Sequence, residues 1–269
     1  MRRSISLYRR LIAVQLQSQL QYRVAFVAEV LISFFVVSLF FVSLVLVMQR
    51  FESIGGWRLG EVAFLYGLVE MGLRMAQMIF SGFDSSVFAQ NIRLGSFDQL
   101  LLRPASPTLQ VFGSRFNLRL VAHILQGLVI FGIALSLANV NWTPLKLLYL
   151  PLVIFSLVLF FGGFFLVGAT ITFWTVESVE AVNIFTYGGG EMMAYPMHIY
   201  PEWLRHFFTF IIPAIFLVYY PALFFLDRPD PFNMPPFAPC LAPIAGLSVF
   251  AGALLFWRFG LKHYQSTGS

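Results

Sequence analysis

Charge is what this chain has least of. Only 11% of its 269 residues are Asp, Glu, Lys or Arg, against 59% that are hydrophobic. Ordinary globular domains carry about a quarter charged residues, so the composition excludes one and indicates a bilayer protein. Cysteine occurs once, as Cys240, which excludes an internal disulfide and a four-cysteine metal site. Lysine occurs only at Lys146 and Lys262, and neither follows the glycines of a G-x-x-x-x-G-K-[ST] loop. The chain therefore cannot be its own phosphate-cradling motor. The histidines, His123, His198, His206 and His263, are scattered without paired metal spacing, and no G-x-S-x-G elbow is present. One acidic pair, Asp227 and Asp230, has a D-x-x-D spacing able to hold Mg²⁺ and a diphosphate. It stands in a proline-rich stretch with no second acidic motif, where a solvated turn is the simpler reading.

What is abundant is apolar length. Val24–Met48 reads as a first span interrupted only by Glu29, and Glu61–Phe83 as a weaker second carrying Glu70, Arg74 and Gln77. Leu109–Leu137 reads as the third, polar in its first half, and Pro144–Trp174 as the fourth and greasiest. A fifth runs from about Ser178 through Gly188-Gly-Gly-Glu191 to Tyr195, and the last covers Pro243 to about Gly260. Between these two, Trp203–Leu226 carries Pro213 and Pro221 and is flanked by Pro201 and Asp227-Arg-Pro-Asp-Pro, the pattern of a re-entrant helical pair. The expectation is an all-α integral membrane fold: six transmembrane helices form one domain over 24–269, with a cytoplasmic loop over 84–107 and an extracellular or re-entrant region over 196–242.

Basic residues orient it. With the N-terminus inside, Arg2, Arg3, Arg9, Arg10, Arg23, Arg93, Arg103, Arg115, Arg119, Arg258 and Lys262 are cytoplasmic; Arg50, Arg58, Lys146, Arg205 and Arg228 are not. The C-terminus is then also inside, unless Trp203–Leu226 crosses to make seven spans. The net charge of +5 is thus topological and calls for no nucleic acid. Residues 1–23 show no removable signal. Ile5, Tyr8, Ile12, Leu16 and Leu20 instead form the stripe of an interfacial amphipathic helix, either an anchor to anionic membrane lipid or a lever toward a cytoplasmic partner.

A polar island interrupts the apolar text between spans two and three: Asn91-Ile-Arg-Leu-Gly-Ser-Phe-Asp-Gln-Leu-Leu-Leu-Arg-Pro-Ala-Ser-Pro107. Gly95 breaks the descending helix, Ser96 with Gln99 offers a capping box for a new one, and Arg103-Pro104 ends it. Phe97, Leu100 and Leu101 supply an apolar face ringed by Arg93, Asp98 and Arg103. Such a two-turn helix is either a plug for the bundle or a docking element for a soluble partner.

This island resembles the I-R-x-G-x-F-D-x-L-L-x-R-P signature of a branch of ABC-2-type permeases, the membrane subunits of type-2 ATP-binding-cassette exporters. Tyr195-Pro-Met-His-Ile-Tyr-Pro-Glu-Trp-Leu, with Ile212-Pro-Ala and Tyr220-Pro-Ala, resembles the family's re-entrant element before the last span. The resemblance implies a multi-pass protein of a prokaryotic cytoplasmic membrane that pairs with a second permease, identical or homologous. It also implies a separate ATPase subunit that holds ATP and Mg²⁺, this chain having no cofactor. On the matching positions, Ile92, Arg93, Gly95, Phe97, Asp98, Leu101, Arg103 and Pro104 would form the ATPase-docking coupling helix. A substrate path would lie at the dimer interface among spans one, two and five.

Ionisable groups within the spans are the remaining candidates. Glu70 and Arg74, four apart on one helix face, can pair as a structural bridge or serve as a gate. Glu29, His123, Gln126 and Glu191 must likewise face protein or water. The glycines at 188–190 would permit hinging or close approach. Two other functions fit parts of the pattern: an ion-coupled secondary transporter using Glu70, Arg74 and Glu191, and a membrane enzyme acting on lipid-linked diphosphates through Asp227 and Asp230.

Overall fold

The computed structural model describes residues 23–51, 53–115, 119–138, 140–177 and 180–266, and within these every regular element is helical. The amphipathic helix expected over 1–23 lies outside the described residues, save for Arg23. Helix α1 (Arg23–Phe51) is apolar all round and stands at the edge, touching chiefly α6 (Arg119–Ala138). Helix α2 (Leu59–Phe80) runs on through a 3₁₀ turn, Ser81–Phe83, into α3 (Ser85–Arg93). Helices α4 (Ser96–Leu101) and α5 (Pro107–Ser114) complete the excursion that returns to α6.

The central rod is α7 (Pro144–Thr175). Thr143 caps it by accepting from Lys146 N at 3.3 Å, and Pro144 occupies the first turn, where its missing N–H costs nothing. At about 1.5 Å per residue the rod reaches about 48 Å, longer than the roughly 30 Å hydrocarbon core of a bilayer. It stops where Val176 adopts a left-handed φ of 59°. The last helix, α12 (Ala242–His263), lies along α7 in the most extensive helix pair of the bundle.

Four helical stretches among the described residues are long and apolar enough to cross a membrane: 34–51, 59–93, 144–175 and 238–263. The bent pair Glu202–Ile211 and Ala214–Phe225, whose halves contain α10 (Glu202–His206) and α11 (Tyr219–Phe225) and meet at 79°, would make a fifth if it crosses as one span. Two of the expected six are shorter than expected. The third divides at Arg115, whose extended backbone (φ −141°, ψ 127°) separates α5 from α6. The split is held by Ser81 Oγ, which donates to Arg115 O at 2.6 Å, and by Gly82 lying on the carbonyl of Val111. The fifth is a composite of α8 (Glu180–Asn183), a π-turn over Ile184–Gly188 and α9 (Gly189–Met193). It rises only about 21 Å at helical pitch.

The end opposite the 84–107 loop is closed by paired charges. Glu61 accepts from Arg58 N at 2.7 Å, capping α2, and takes Arg228 Nε at 2.7 Å on its other oxygen. Arg228 also donates to Gly56 O at 2.8 Å and covers the buried Trp57 ring. Lys146, buried, donates to Phe225 O at 3.0 Å and pairs with Asp227 at 2.7 Å. Each cation drawn toward the apolar interior thus finds an anion or carbonyl, as burial demands.

Helices approach closely where a side chain is missing, the mode of association open to helices in lipid. A Cβ at Gly246 of α12 would collide with the Ser156 backbone of α7, and one at Gly82 with Val111 O, whereas Gly252 faces open space. Gly82→Ala and Gly246→Ala are therefore expected to destabilise by about 1–3 kcal/mol each. Gly252→Ala should be neutral or raise stability by up to about 1 kcal/mol through helix propensity. Thermal melts of the detergent-solubilised variants check this; equal melting temperatures for Gly82→Ala and Gly252→Ala would refute the close approach.

Candidate functional site

The 84–107 loop is a built element. Asp84 caps α3 by accepting from Ser86 N at 3.1 Å, Val87 N at 3.4 Å and Ser86 Oγ at 2.5 Å. Helix α3 ends as Leu94 N and Gly95 N bond back to Gln90 O and Ile92 O, and Gly95 turns left-handed at φ 65°. A residue with a Cβ would be strained there. Because Gly95 itself occupies the cap position, Ser96 falls inside α4 and no side chain caps that helix. The expected Ser96–Gln99 capping box is therefore not formed: one glycine stops the first helix and starts the second, leaving no extended residue from which a serine could cap. Gln110, buried on α5, closes the far side by donating to both Leu100 O and Ala105 O at 3.0 Å.

The residues of the island divide by direction. Ile92, Gly95 and Phe97 point inward and are buried. Phe97 sits between Phe88 (5.2 Å between ring centres), Phe173 (5.4 Å) and Tyr264 (5.1 Å, edge-on). It is thus a core residue rather than part of α4's outer face. Asp98 is half-buried and accepts from Tyr264 Oη at 3.0 Å and Ser266 Oγ at 2.8 Å. Burial, with Asp98 beside it, pushes the Tyr264 hydroxyl up to about 12, so it stays protonated as a donor. Arg93, Leu101, Arg103 and Pro104 face outward. Two residues the motif left out share that face: Leu94 is 64% exposed and Leu102 is 87% exposed. The run Leu100-Leu-Leu102 was the available signal, since three leucines in a row cannot all face the inside of a two-turn helix.

The polar groups inside the bundle gather along α2. Arg74 Nε donates to Glu70 Oε2 at 2.9 Å and Nη2 to Glu70 Oε1 at 3.3 Å, while Nη1 reaches Gln77 at 3.0 Å. The i, i+4 spacing read as a pair is one. Toward the loop, Arg74, Gln77, Asp84, Arg115, His123 and Tyr187 line a cavity of about 400 Å³. Away from it, Tyr66, Glu70, Arg74, Tyr187 and Glu191 line a cleft of about 50 Å³. Arg74 and Tyr187 belong to both walls and form the neck between them. Glu70, Arg74, His123 and Glu191 therefore share one polar track, while the side chain of Glu29 lies outside the described residues. Gln126 fastens α6 to α1 by donating to Phe34 O at 2.8 Å and Ser38 Oγ at 3.0 Å. A Cβ at Gly188, Gly189 or Gly190 would meet nothing nearer than 3.6 Å, so close approach does not require these glycines. They follow directly on a π-turn.

Asp227 and Asp230 do not converge on a ligand. Asp227 takes Lys146 and, at 3.4 Å, Asn141, whereas Asp230 accepts from Phe232 N at 2.9 Å and Met234 N at 2.7 Å. Among the described residues no group of three His, Cys, Asp or Glu side chains is placed to hold a metal ion.

Comparison with curated proteins and with solved structures gives no match. A family model does match, over residues 33–268, and covers both the polar track and the loop. That model describes the ABC-2 family transporter proteins, so this chain belongs to that family and is a permease, the membrane-spanning part of an ABC transporter.

Proposed function

We propose that the chain is the permease subunit of an ATP-driven exporter, and that a separate ATPase subunit docks on α4 and the turns beside it. The observation that carries this reading is the outward face of the loop. Leu94, Leu101 and Leu102 stand exposed beyond the bundle, between Arg93 and Arg103, on an element whose opposite side is held down by Phe97, Asp98 and Gln110. A firmly mounted apolar knob with a cationic rim fits a groove with an apolar floor and acidic edges. In this reading ATP and Mg²⁺ are bound by the partner, the loop and both termini are cytoplasmic, and the membrane is the cytoplasmic membrane of a prokaryote. Six crossings result if α6 and the α8–α9 composite also span and the bent pair is re-entrant. Two permease subunits, identical or homologous, enclose the path, with the track from Arg115 and His123 past Arg74 to Glu191 as its wall.

A second reading, an ion-coupled transporter, draws on Glu191, which is exposed on the cleft beside the Glu70–Arg74 pair. The diphosphate-enzyme reading loses its support, because the carboxylates of Asp227 and Asp230 are engaged separately within the chain.

Leu102→Glu is expected to weaken ATPase binding to the nanodisc-embedded permease at least about tenfold, since a buried leucine is worth roughly 1.5–3 kcal/mol. Phe97→Ala should instead lower the melting temperature of the permease itself, by the roughly 3–5 kcal/mol of an emptied aromatic site. Interferometry and thermal melts separate the two; unchanged affinity in Leu102→Glu would reject the docking face. In inverted membrane vesicles containing permease and ATPase, uptake of amphipathic fluorescent dyes should require ATP and survive collapse of proton and sodium gradients. Gradient-driven uptake without ATP would put the ion-coupled reading in its place.

A further inference from the structure

Helix α4 hangs between two weak points, left-handed Gly95 on one side and Arg103-Pro104 on the other. Nothing in its own backbone would keep so short a helix in place under load. Besides Gln110 on Leu100 O and the packing of Phe97, what fixes it comes from the far end of the chain. Both oxygens of the Asp98 carboxylate are taken, Oδ1 by Tyr264 Oη at 3.0 Å and Oδ2 by Ser266 Oγ at 2.8 Å. The Tyr264 ring also stands edge-on to Phe97, the residue beside Asp98. Tyr264 directly follows α12, and a second tie joins α12 to the start of α5, where Trp257 Nε1 donates to Thr108 Oγ1 at 2.9 Å. The loop and the helix that follows it are thus each bolted to the last helix, and the last helix lies along the α7 rod.

We infer that Asp98 is a positioning residue and not a docking residue: through Tyr264 and Ser266 it joins α4 to the end of α12, so that displacement of α4 is delivered to the last helix. This rests on the reading that α4 receives the ATPase. It assigns a coupling role to the C-terminal segment 264–266. It also divides the island between an inward latch (Phe97, Asp98) and an outward knob (Leu94, Leu101, Leu102). A hydrogen bond to a charged group is about twice as strong as a neutral one, and Asp98 accepts two of them.

The test uses Tyr264→Phe with Ser266→Ala, which removes both hydroxyls and keeps the ring, together with Asp98→Asn, which keeps one acceptor oxygen. In the purified permease, amide exchange over 96–102 should rise about tenfold or more in the double variant while α7 is unchanged, with Asp98→Asn in between. Unchanged exchange overturns the latch. The chain's one cysteine, Cys240, is exposed just ahead of α12 at the end opposite Tyr264, so an environment-sensitive fluorophore there reports on that helix. With the ATPase bound, ATP should shift this signal in the parent chain, and the double variant should lose most of the shift while binding the ATPase within about twofold of the parent. A shift of equal size in both, or none in the parent, overturns transmission to α12. If the parent binds no ATPase, the docking reading fails instead, and the exchange result still decides the latch.

Discussion

The loop end of the bundle depends on one block of aromatic rings. Phe88 from α3, Phe97 from α4, Phe173 from α7 and Trp257 with Tyr264 from the last helix and its tail meet with ring centres 5.1–5.4 Å apart. Three stretches distant in sequence, 88–97, 173 and 257–264, share it, and the contacts are edge-to-face or tilted, the arrangements that rings favour over flat sandwiches. Phe88, Phe173 and Trp257 belong to stretches apolar enough to cross a membrane, so the close packing of the rings on one another holds the block. Everything polar at this end is arranged around it. Asp98 binds at its rim, Gln110 ties the turn beyond, and the exposed leucines are carried on its outer side.

The opposite end uses another currency. There the chain balances charge: Glu61 against Arg228, Lys146 against Asp227, with Asp230 spent on backbone amides. These pairs lock the 54–61 turn and the start of α7 to the segment following the bent helices. One end is thus fastened by rings and the other by ions. The polar track of α2 lies between them and ends, on the loop side, in the larger cavity.

Much of this was legible in the sequence, and the parts that were not have common causes. Long apolar runs such as Pro144–Trp174 announce themselves, and Glu70 and Arg74 could be paired because helical spacing is local. Gly95 and Pro104 marked the bounds of α4 correctly. The inward turn of Phe97 was not legible, because two turns of helix give too little periodicity to show which face is buried, and its partners at 173, 257 and 264 lie far along the chain. The false capping box has a local reason: a serine followed three residues later by glutamine is a valid signal only where the serine can be extended, and the left-handed glycine ahead of it removes that option. The break at Arg115 arose from a tertiary contact, Gly82 on the Val111 carbonyl, which no pattern of hydropathy records. Asp84 caps α3 directly after a 3₁₀ turn that continues α2, so no change in hydropathy marks a new helix start there.

The π-turn at Ile184–Gly188 has a geometric consequence for the segment that follows. A wider turn stores one residue more than an α-helix would, and each residue of an α-helix subtends about 100°. Tightening that turn to ordinary pitch would spin Gly189–Met193 about its own axis by nearly a third of a revolution. Glu191 would sweep from the cleft toward another wall while the neighbouring helices stayed where they are. Met193, buried in the core, would leave its seat in the same movement.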